Sequence, residues 1–173
     1  LCFDFHPSDS SVYLIGTGEG HIHKCSITNR NHYLETYQKH FGAVNHIDRS
    51  PFYPDVFLSC SYDWTIQLWK EKTLTPILGF SSSQRSVVTV RWSPHQPDVF
   101  AAINGQQMEI WDLNTNILNP IIVHRAAPGV EFTSLLFARA TDYVLVGDSD
   151  GEVTVYQLRN LRVDSYSNLT NHT

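Results

Sequence analysis

The sequence predicts an all-β protein made of a few similar antiparallel sheets, and three observations support this prediction. First, an eight-residue string at 50–57 returns 43 residues later, at 93–100, with six identities. Second, each copy is followed by an apolar run, a polar turn and an alternating stretch that ends in tryptophan, at Trp69 and Trp111. Third, no apolar period of about 3.6 residues persists along the chain. Self-similarity at about 40 to 45 residues is typical of β-propeller blades, which bury their apolar faces by stacking.

Four repeats can be counted, because Cys25, Trp69, Trp111 and Tyr156 close equivalent segments that are 44, 42 and 45 residues apart. Each of these segments alternates between apolar and polar residues, which indicates a strand with one buried face. A short apolar run precedes each segment, and turn formers such as those at 147–151 separate the two, so each repeat contains a hairpin. One more strand precedes every hairpin, and in the first three repeats a fourth strand follows the hairpin.

These elements predict a partial β-propeller of about four blades, each a four-stranded antiparallel sheet, with the last blade incomplete. The predicted propeller segment covers residues 1–161, with blades at about 1–39, 40–82, 83–125 and 126–161. Residues 162–173 form a polar tail that we expect to be disordered. Because the chain begins on a first strand and ends on a third, we interpret it as the C-terminal part of a larger ring.

Composition and charge exclude several classes of partner. The 173 residues carry a formal net charge of −5, and their basic residues are scattered, so we predict neither a nucleic-acid nor a membrane partner. Three cysteines without a CxxC motif argue against a disulfide framework and favour a reducing compartment. No apolar stretch approaches the roughly 18 residues that cross a bilayer.

The best copy of the repeat, at 40–69, resembles the WD-repeat family of β-propellers. In that family a loop His, a strand Ser or Thr, a turn Asp and a strand Trp form a hydrogen-bonded tetrad within one blade. The resemblance assigns this structural tetrad to His40, Ser59 (with Ser61 as the alternative), Asp63 and Trp69. These groups are chemically compatible, because a carboxylate accepts a hydrogen bond from imidazole. The other three blades lack one or more of these residue types, so we expect them to rely on apolar packing.

Four strings, at 20–25, 55–61, 109–113 and 146–151, are together similar to the propeller of dynein intermediate chains, closest to the axonemal, inner-arm type. The resemblance implies a non-catalytic scaffold subunit whose propeller docks on a dynein heavy chain, with other dynein intermediate and light chains as further partners. It implies a role in motor assembly or in the regulation of ciliary motility, within the axoneme of a cilium or flagellum, in the cytoplasm and cytoskeleton. The alternative is a general WD-repeat adaptor for protein–protein interactions outside cilia.

Other motifs that could carry chemistry have simpler structural explanations. His21, His23 and Cys25 share one strand face and offer zinc ligands, but alternation along one strand seldom gives zinc geometry. The string at 148–152 resembles the start of a calcium loop but lacks the final glutamate. The glycine-rich 16–20 joins two strands rather than opening a helix, so it lacks the geometry of a phosphate site. We therefore predict no enzyme, no cofactor and no metal site.

Three aromatic residues are the strongest candidates for partner contact. Phe41 follows the loop histidine of the tetrad, and Tyr62 and Trp64 flank the turn aspartate. The two loops emerge on the same face of a propeller, where exposed aromatic side chains often anchor a partner. The alternative is that these side chains pack on the loops of a neighbouring blade.

Overall fold

The computed structural model describes residues 1–159, and the regular structure in that range consists of strands alone. The fifteen strands are, in chain order, β1 Cys2–Phe5, β2 Val12–Gly16, β3 His21–Ser26, β4 Glu35–Gln38, β5 Val44–Arg49, β6 Val56–Ser61, β7 Ile66–Lys70, β8 Leu78–Phe80, β9 Val87–Trp92, β10 Val99–Asn104, β11 Gln107–Asp112, β12 Ile122–Arg125, β13 Phe132–Phe137, β14 Tyr143–Asp148 and β15 Val153–Gln157. This part of the chain holds no helix that could cross a membrane. The predicted tail, 162–173, and the predicted end of the fourth blade lie outside the described residues.

The strands form four antiparallel sheets in which neighbours in sequence are neighbours in space. The order is β1-β2-β3-β4, β5-β6-β7-β8, β9-β10-β11-β12 and β13-β14-β15, so the last sheet has three strands within the described residues. The first strands of successive sheets lie side by side, β1 against β5, β5 against β9 and β9 against β13. The sheets therefore fan out from one inner edge, as propeller blades do. The predicted blade limits remain predictions, since they depend on where the loops are divided.

Each seam between two sheets contains its own apolar core. Leu14 and Ile22 of the first sheet pack with Phe57 and Trp69 of the second, and all four are nearly inaccessible to solvent. Residues that alternate with these along the strands of the second sheet, such as Leu58, face the opposite way and pack with residues of the third sheet in a second cluster. A third cluster joins the third and fourth sheets. The alternation read from the sequence thus buries both faces of the inner blades.

The same aromatic arrangement recurs at two seams. Phe57 stacks on Trp69 with ring centroids 6.0 Å apart, and Tyr37 of the preceding blade meets both rings edge-on. One repeat later, Phe100 stacks on Trp111 at 5.9 Å, and Phe80 of the preceding blade meets both rings at steep angles. Offset and edge-to-face pairs each contribute about 0.5–1.5 kcal/mol beyond burial. The repeat in sequence is therefore a repeat in packing.

The two ends of the sheets carry different loops. At one end, which we call the proline face, the turns that hold Pro7, Pro51 and Pro94 lie beside the β3–β4, β7–β8 and β11–β12 loops; for example, the Ile27 N–H donates to Ser11 O at 2.8 Å. At the other end, which we call the tetrad face, the hairpin turns lie beside the loops that enter the next blade. There the Val44 N–H, at the start of the second blade, donates to Thr17 O in the hairpin turn of the first blade at 3.0 Å, and the Tyr62 N–H in the second blade's own turn donates to Ala43 O at 3.0 Å.

Candidate functional site

The structure brings the four predicted tetrad residues together in one continuous chain of hydrogen bonds. His40 Nδ1 lies 3.0 Å from Asp63 Oδ2, and His40 Nε2 lies 2.6 Å from Ser59 Oγ. The indole Nε1–H of Trp69 donates to Ser59 Oγ at 2.9 Å. His40 enters from the loop after β4, Ser59 lies on β6, Asp63 lies in the hairpin turn and Trp69 lies on β7. The tetrad therefore ties the loop between two blades to the strands of the second blade.

The chemistry of the two end groups fixes the direction of this chain. The indole N–H can only donate and the Asp63 carboxylate can only accept. Ser59 therefore accepts from Trp69 and donates to His40 Nε2, which leaves the proton of the neutral imidazole on Nδ1, where it points to Asp63. Of the two serines that the sequence allowed, Ser59 fills the role. Ser61 instead donates to Gly42 O at 3.0 Å and accepts from the Asp63 N–H at 3.1 Å.

Burial keeps the histidine of this chain neutral and leaves the aspartate charged. Burial lowers the pKa of His40, and the attraction of Asp63 only partly opposes that effect. Burial by itself raises the pKa of Asp63, but hydrogen bonds from Thr65 and the Phe41 N–H outweigh it, so the net pKa is lowered. The contact between His40 and Asp63 meets the distance of a salt bridge. We treat it as a charge-assisted hydrogen bond, because a neutral imidazole donates to a carboxylate without forming an ion pair.

The third blade replaces the tetrad with a different polar group, which the sequence analysis missed. Its Trp111 occupies the place of Trp69, but Ala102 stands where Ser59 lies, so no hydroxyl is available there. The Trp111 indole instead donates to the carboxylate of Glu109 at 3.4 Å. Glu109 is buried, which raises the pKa of its carboxyl, and it also accepts hydrogen bonds from Ser82 and Gln107. This blade therefore adds a buried polar contact to the apolar packing that the sequence predicts.

The three predicted partner-contact residues lie exposed on the tetrad face. The exposed fractions are 91% for Phe41, 67% for Tyr62 and 47% for Trp64. None of the three rings stacks on another aromatic ring within residues 1–159. We call these three residues the aromatic patch. The Phe41 N–H donates to Asp63 Oδ2 at 2.9 Å, so the turn aspartate that completes the tetrad also holds the loop that presents this patch.

The backbone at Trp64 is strained. Its φ angle is +75°, and it is the one residue other than glycine with positive φ among the described residues. Gly20 and Gly151 occupy the same hairpin position in the first and fourth sheets, with φ angles of +91° and +81°. A bulky side chain in this region costs on the order of 1–3 kcal/mol. The second blade therefore holds a tryptophan where glycine would be the less costly residue.

The zinc ligands considered from the sequence are engaged in other contacts. The ring of His23 stacks on Tyr33 with centroids 3.8 Å apart, and its Nδ1 lies 2.9 Å from the hydroxyl of Thr36. Cys25 is buried, with its thiol 3.8 Å from His23 O. The calcium-like string folds as a hairpin turn, in which Asp148 Oδ1 accepts the N–H groups of residues 150 and 152.

A different group of metal-ligand types forms at the seam between the first two blades. His6, Asp55 and Glu71 place ligand atoms within 4.8 Å of one another. Two of them are already committed. The Ser8 N–H donates to His6 Nδ1, which puts the imidazole proton on the nitrogen that faces Asp55, and Glu71 accepts from the cations of Lys24 and Arg49, each at 3.3 Å. We therefore interpret this group as a polar network that joins the blades.

Comparison with known proteins identifies the family. The profile of the "Dynein axonemal intermediate chain 3 WD40 domain" matches residues 29–128, which is more than half of the chain. "Dynein axonemal intermediate chain 4" of Mus musculus is 52% identical over 93% of this chain and 20% of its own length, and that of Danio rerio is 54% identical over 93% and 21%. A flagellar outer-arm dynein intermediate chain of 78 kDa from Chlamydomonas reinhardtii is 35% identical over 95% and 25%. The chain thus spans about a fifth to a quarter of these relatives.

A solved structure, "Crystal Structure of Mitotic Checkpoint Complex", shares the fold with a TM-score of 0.76 at 21% identity, over 87% of this chain and 47% of that chain. At this identity the likeness concerns the fold alone. Together with the WD40 description of the matched profile, it confirms the predicted fold class, a partial β-propeller. The names of the relatives confirm the predicted location, the axoneme of cilia and flagella. The chain belongs to the axonemal dynein intermediate chain family and forms part of its WD40 domain.

Proposed function

We propose that the protein is a non-catalytic scaffold subunit of an axonemal dynein complex, whose propeller docks on a dynein heavy chain. Docking would contribute to motor assembly or to the regulation of ciliary motility, with other dynein intermediate and light chains in the same complex. The observation that carries the proposal is family membership, seen in both the matched profile and the relatives at about 50% identity. Since the chain spans a fifth of those relatives, the activity and partners of the whole protein belong to this proposal.

The aromatic patch is the surface that we assign to docking. Its three side chains expose large rings on two loops that are hydrogen-bonded to Asp63, and Tyr and Trp are among the residues that most often dominate binding energy. The loops are fixed by the tetrad below them, so little conformational entropy is lost when a partner binds. The packing alternative, in which these rings contact a neighbouring blade, does not account for an exposure of 91% at Phe41.

The absence of catalysis is also part of the proposal. The polar groups that could do chemistry on the tetrad face, His40, Ser59 and Asp63, are bonded to one another, and the first two are buried. A serine that donates to histidine resembles part of a hydrolase triad, but here its oxygen also accepts from a buried indole. A substrate therefore cannot reach this hydroxyl without opening the seam between blades.

The alternative function, a general WD-repeat adaptor outside cilia, uses the same surface with a different partner. Fractionation distinguishes the axonemal function from the general adaptor function. We expect the full-length protein to copurify with axonemal dynein heavy chain after salt extraction of axonemes. A variant with Phe41→Ser and Tyr62→Ser should lose copurification while keeping its thermal stability. The matched control is Phe52→Ser with Tyr53→Ser, two residues on the proline face that are 41% and 60% exposed.

Two results would contradict the proposal. If the wild-type protein does not associate with axonemal heavy chain, the function itself is wrong. If the double variant on the tetrad face copurifies as well as the wild type while the control variant is lost, docking takes place on the proline face and the assignment of the surface is wrong.

A further inference from the structure

We infer that the proline face carries a second docking site, a groove between the first two blades that binds a neutral, proline-rich segment of a partner protein in the polyproline II conformation. The groove has a volume of about 430 Å³, within the range of about 300–1,000 Å³ that is usual for ligand sites. It is lined mainly by His6, Ser8, Phe52, Tyr53, Asp55 and Lys70. Both blades lie within the described residues, so the groove is not the uncovered face of a terminal blade. The inference goes beyond the proposed function, which uses the opposite face.

The turn that presents Phe52 and Tyr53 is repeated in the third blade without these two side chains. The strings 50–57 and 93–100 differ only at these two of their eight positions, where the third blade has histidine and glutamine. Ser50 Oγ accepts the N–H groups of residues 52 and 53 at 3.2 and 3.1 Å, and Ser93 Oγ accepts the equivalent groups at 3.1 and 3.2 Å. The turn therefore forms without the aromatic pair, and its folding does not explain why the pair is present.

The aromatic pair gives the groove exposed ring surface. Phe52 is 41% exposed and Tyr53 is 60% exposed, and both residues line the cavity. Neither ring pairs with another aromatic ring among residues 1–159. Polyproline II segments dock in aromatic-lined grooves of this kind. Such a segment is already extended before it binds, so little conformational entropy is lost on docking.

The backbone beside the groove is already paired, which argues against a ligand that adds a β-strand. The Val56 N–H donates to Tyr53 O and Val56 O accepts the Ser50 N–H, both at 2.8 Å. Asp55 O accepts the Glu71 N–H at 2.7 Å. Strand addition needs a row of free backbone donors and acceptors, which these turns do not offer. Side chains therefore have to recognise the ligand.

The free polar groups of the groove are mainly donors. The Ser8 N–H donates to His6 Nδ1, so the imidazole proton lies on Nε2, which is 3.8 Å from Asp55 Oδ1 and thus beyond hydrogen-bond distance. The Tyr53 hydroxyl and the Lys70 ammonium have no partner among residues 1–159. These donors suit a ligand that offers carbonyl oxygens but few N–H groups. A polyproline II helix is such a ligand, because its carbonyls form no internal hydrogen bonds and proline has no N–H.

The charges around the groove are balanced, which favours a neutral ligand. The groove and its flanking turns contain two carboxylates, Asp9 and Asp55, and two ammonium groups, Lys70 and Lys72. Behind the groove, two cations and two carboxylates form ion pairs with one another at 3.3 to 3.8 Å. A surface without net charge attracts neither an acidic nor a basic segment over a neutral one.

The test measures binding of a proline peptide to the full-length protein. The probe is an L-proline peptide of about ten residues with both ends blocked, which is uncharged and adopts the left-handed polyproline II helix. The control ligand is the D-proline peptide, which has the same composition but the opposite hand. We expect the L peptide to bind roughly ten-fold or more tightly than the D peptide, because non-specific adsorption to exposed rings would not distinguish the two.

Substitutions locate the site. Phe52→Ser with Tyr53→Ser should weaken binding of the L peptide roughly ten-fold or more, as truncation of central aromatic residues commonly does. Tyr53→Phe removes only the hydroxyl donor and should weaken binding about 2- to 10-fold. Both variants should melt as the wild type does, because the turn is held by Ser50. The matched control, Phe41→Ser with Tyr62→Ser on the tetrad face, should bind the peptide as the wild type does.

Four results would overturn the inference. They are no binding of the L peptide to the wild type, equal binding of the L and D peptides, unchanged binding by the Phe52→Ser and Tyr53→Ser double variant, and tighter binding of a peptide in which glutamate or lysine replaces some of the prolines. The heavy chain takes no part in this assay, so a failure of the inference is distinguishable from a failure of the proposed function.

Discussion

Ser59→Ala tests whether the tetrad stabilises the second blade as the geometry indicates. Ser59 Oγ is the junction of the chain, since it accepts from Trp69 and donates to His40. Alanine leaves the Trp69 N–H and the acceptor nitrogen of His40 without partners, in a place where Trp69 and Ser59 are both 0% exposed. Each buried group left unsatisfied costs about 1–3 kcal/mol, so the two together should cost about 2–6 kcal/mol.

The matched control is Ser50→Ala. Ser50 is 1% exposed and its hydroxyl also takes part in two hydrogen bonds, from the N–H groups of Phe52 and Tyr53. Those residues are exposed, so water can replace the serine, and we expect a loss of about 1 kcal/mol or less. The assay is chemical denaturation of the full-length variants, followed by tryptophan fluorescence.

A double-mutant cycle makes the test specific for the hydrogen bond. Trp69→Phe removes the indole N–H, so Ser59→Ala should cost less in that background, with a coupling free energy of about 1 kcal/mol or more. Should Ser59→Ala cost no more than Ser50→Ala, or show no coupling to Trp69→Phe, the tetrad does not hold this blade and the assignment of its bonds is wrong.

Two further substitutions address the seams between blades. Burial raises the pKa of Asp48 to about 7, so this carboxyl lowers the stability of the folded protein increasingly as pH rises from about 4 to about 7. Asp48→Asn can still accept the Trp92 N–H and should therefore stabilise the full-length protein by about 2–3 kcal/mol more at pH 8 than at pH 5. An equal effect at both pH values would contradict this. Gly20→Ala should lower the free energy of unfolding by about 2 kcal/mol or more in denaturant titrations, because φ is +91° and an added Cβ would lie 2.4 Å from His40 O. The control Gly18→Ala, whose added Cβ has nothing within 4 Å, should change the stability little. Similar losses at both positions would refute the reasoning.

The sequence predicts those parts of the fold that repeat. Alternation around Trp69 and Trp111 defines strands, and the spacing of 42 residues between them places both in equivalent sheets. Buried residues on both faces of these strands follow from stacking, because an inner blade has a neighbour on each side. The family strings also identified the protein family, since their combination is specific even though each string is short.

Other features were beyond sequence reasoning because they depend on contacts between distant residues. The sequence allowed Ser59 or Ser61 in the tetrad, and only the strand register shows which hydroxyl faces Trp69. The role of Glu109 was missed because glutamate is rarely buried, whereas here Glu109 shares a strand face with Trp111, two residues on, and Ala102 leaves the indole without a hydroxyl. The positive φ of Trp64 had a signal that could have been read, namely the glycines at the same hairpin position in two other repeats.

Site-specific photocrosslinking within the assembled dynein complex tests the docking surface most directly. A photoreactive phenylalanine in place of Phe41 would lie on the tetrad face, and one in place of Tyr53 would lie on the proline face, at positions that are 91% and 60% exposed. We expect irradiation to link the heavy chain to position 41 and not to position 53. A heavy-chain crosslink from position 53 alone would contradict docking through the aromatic patch.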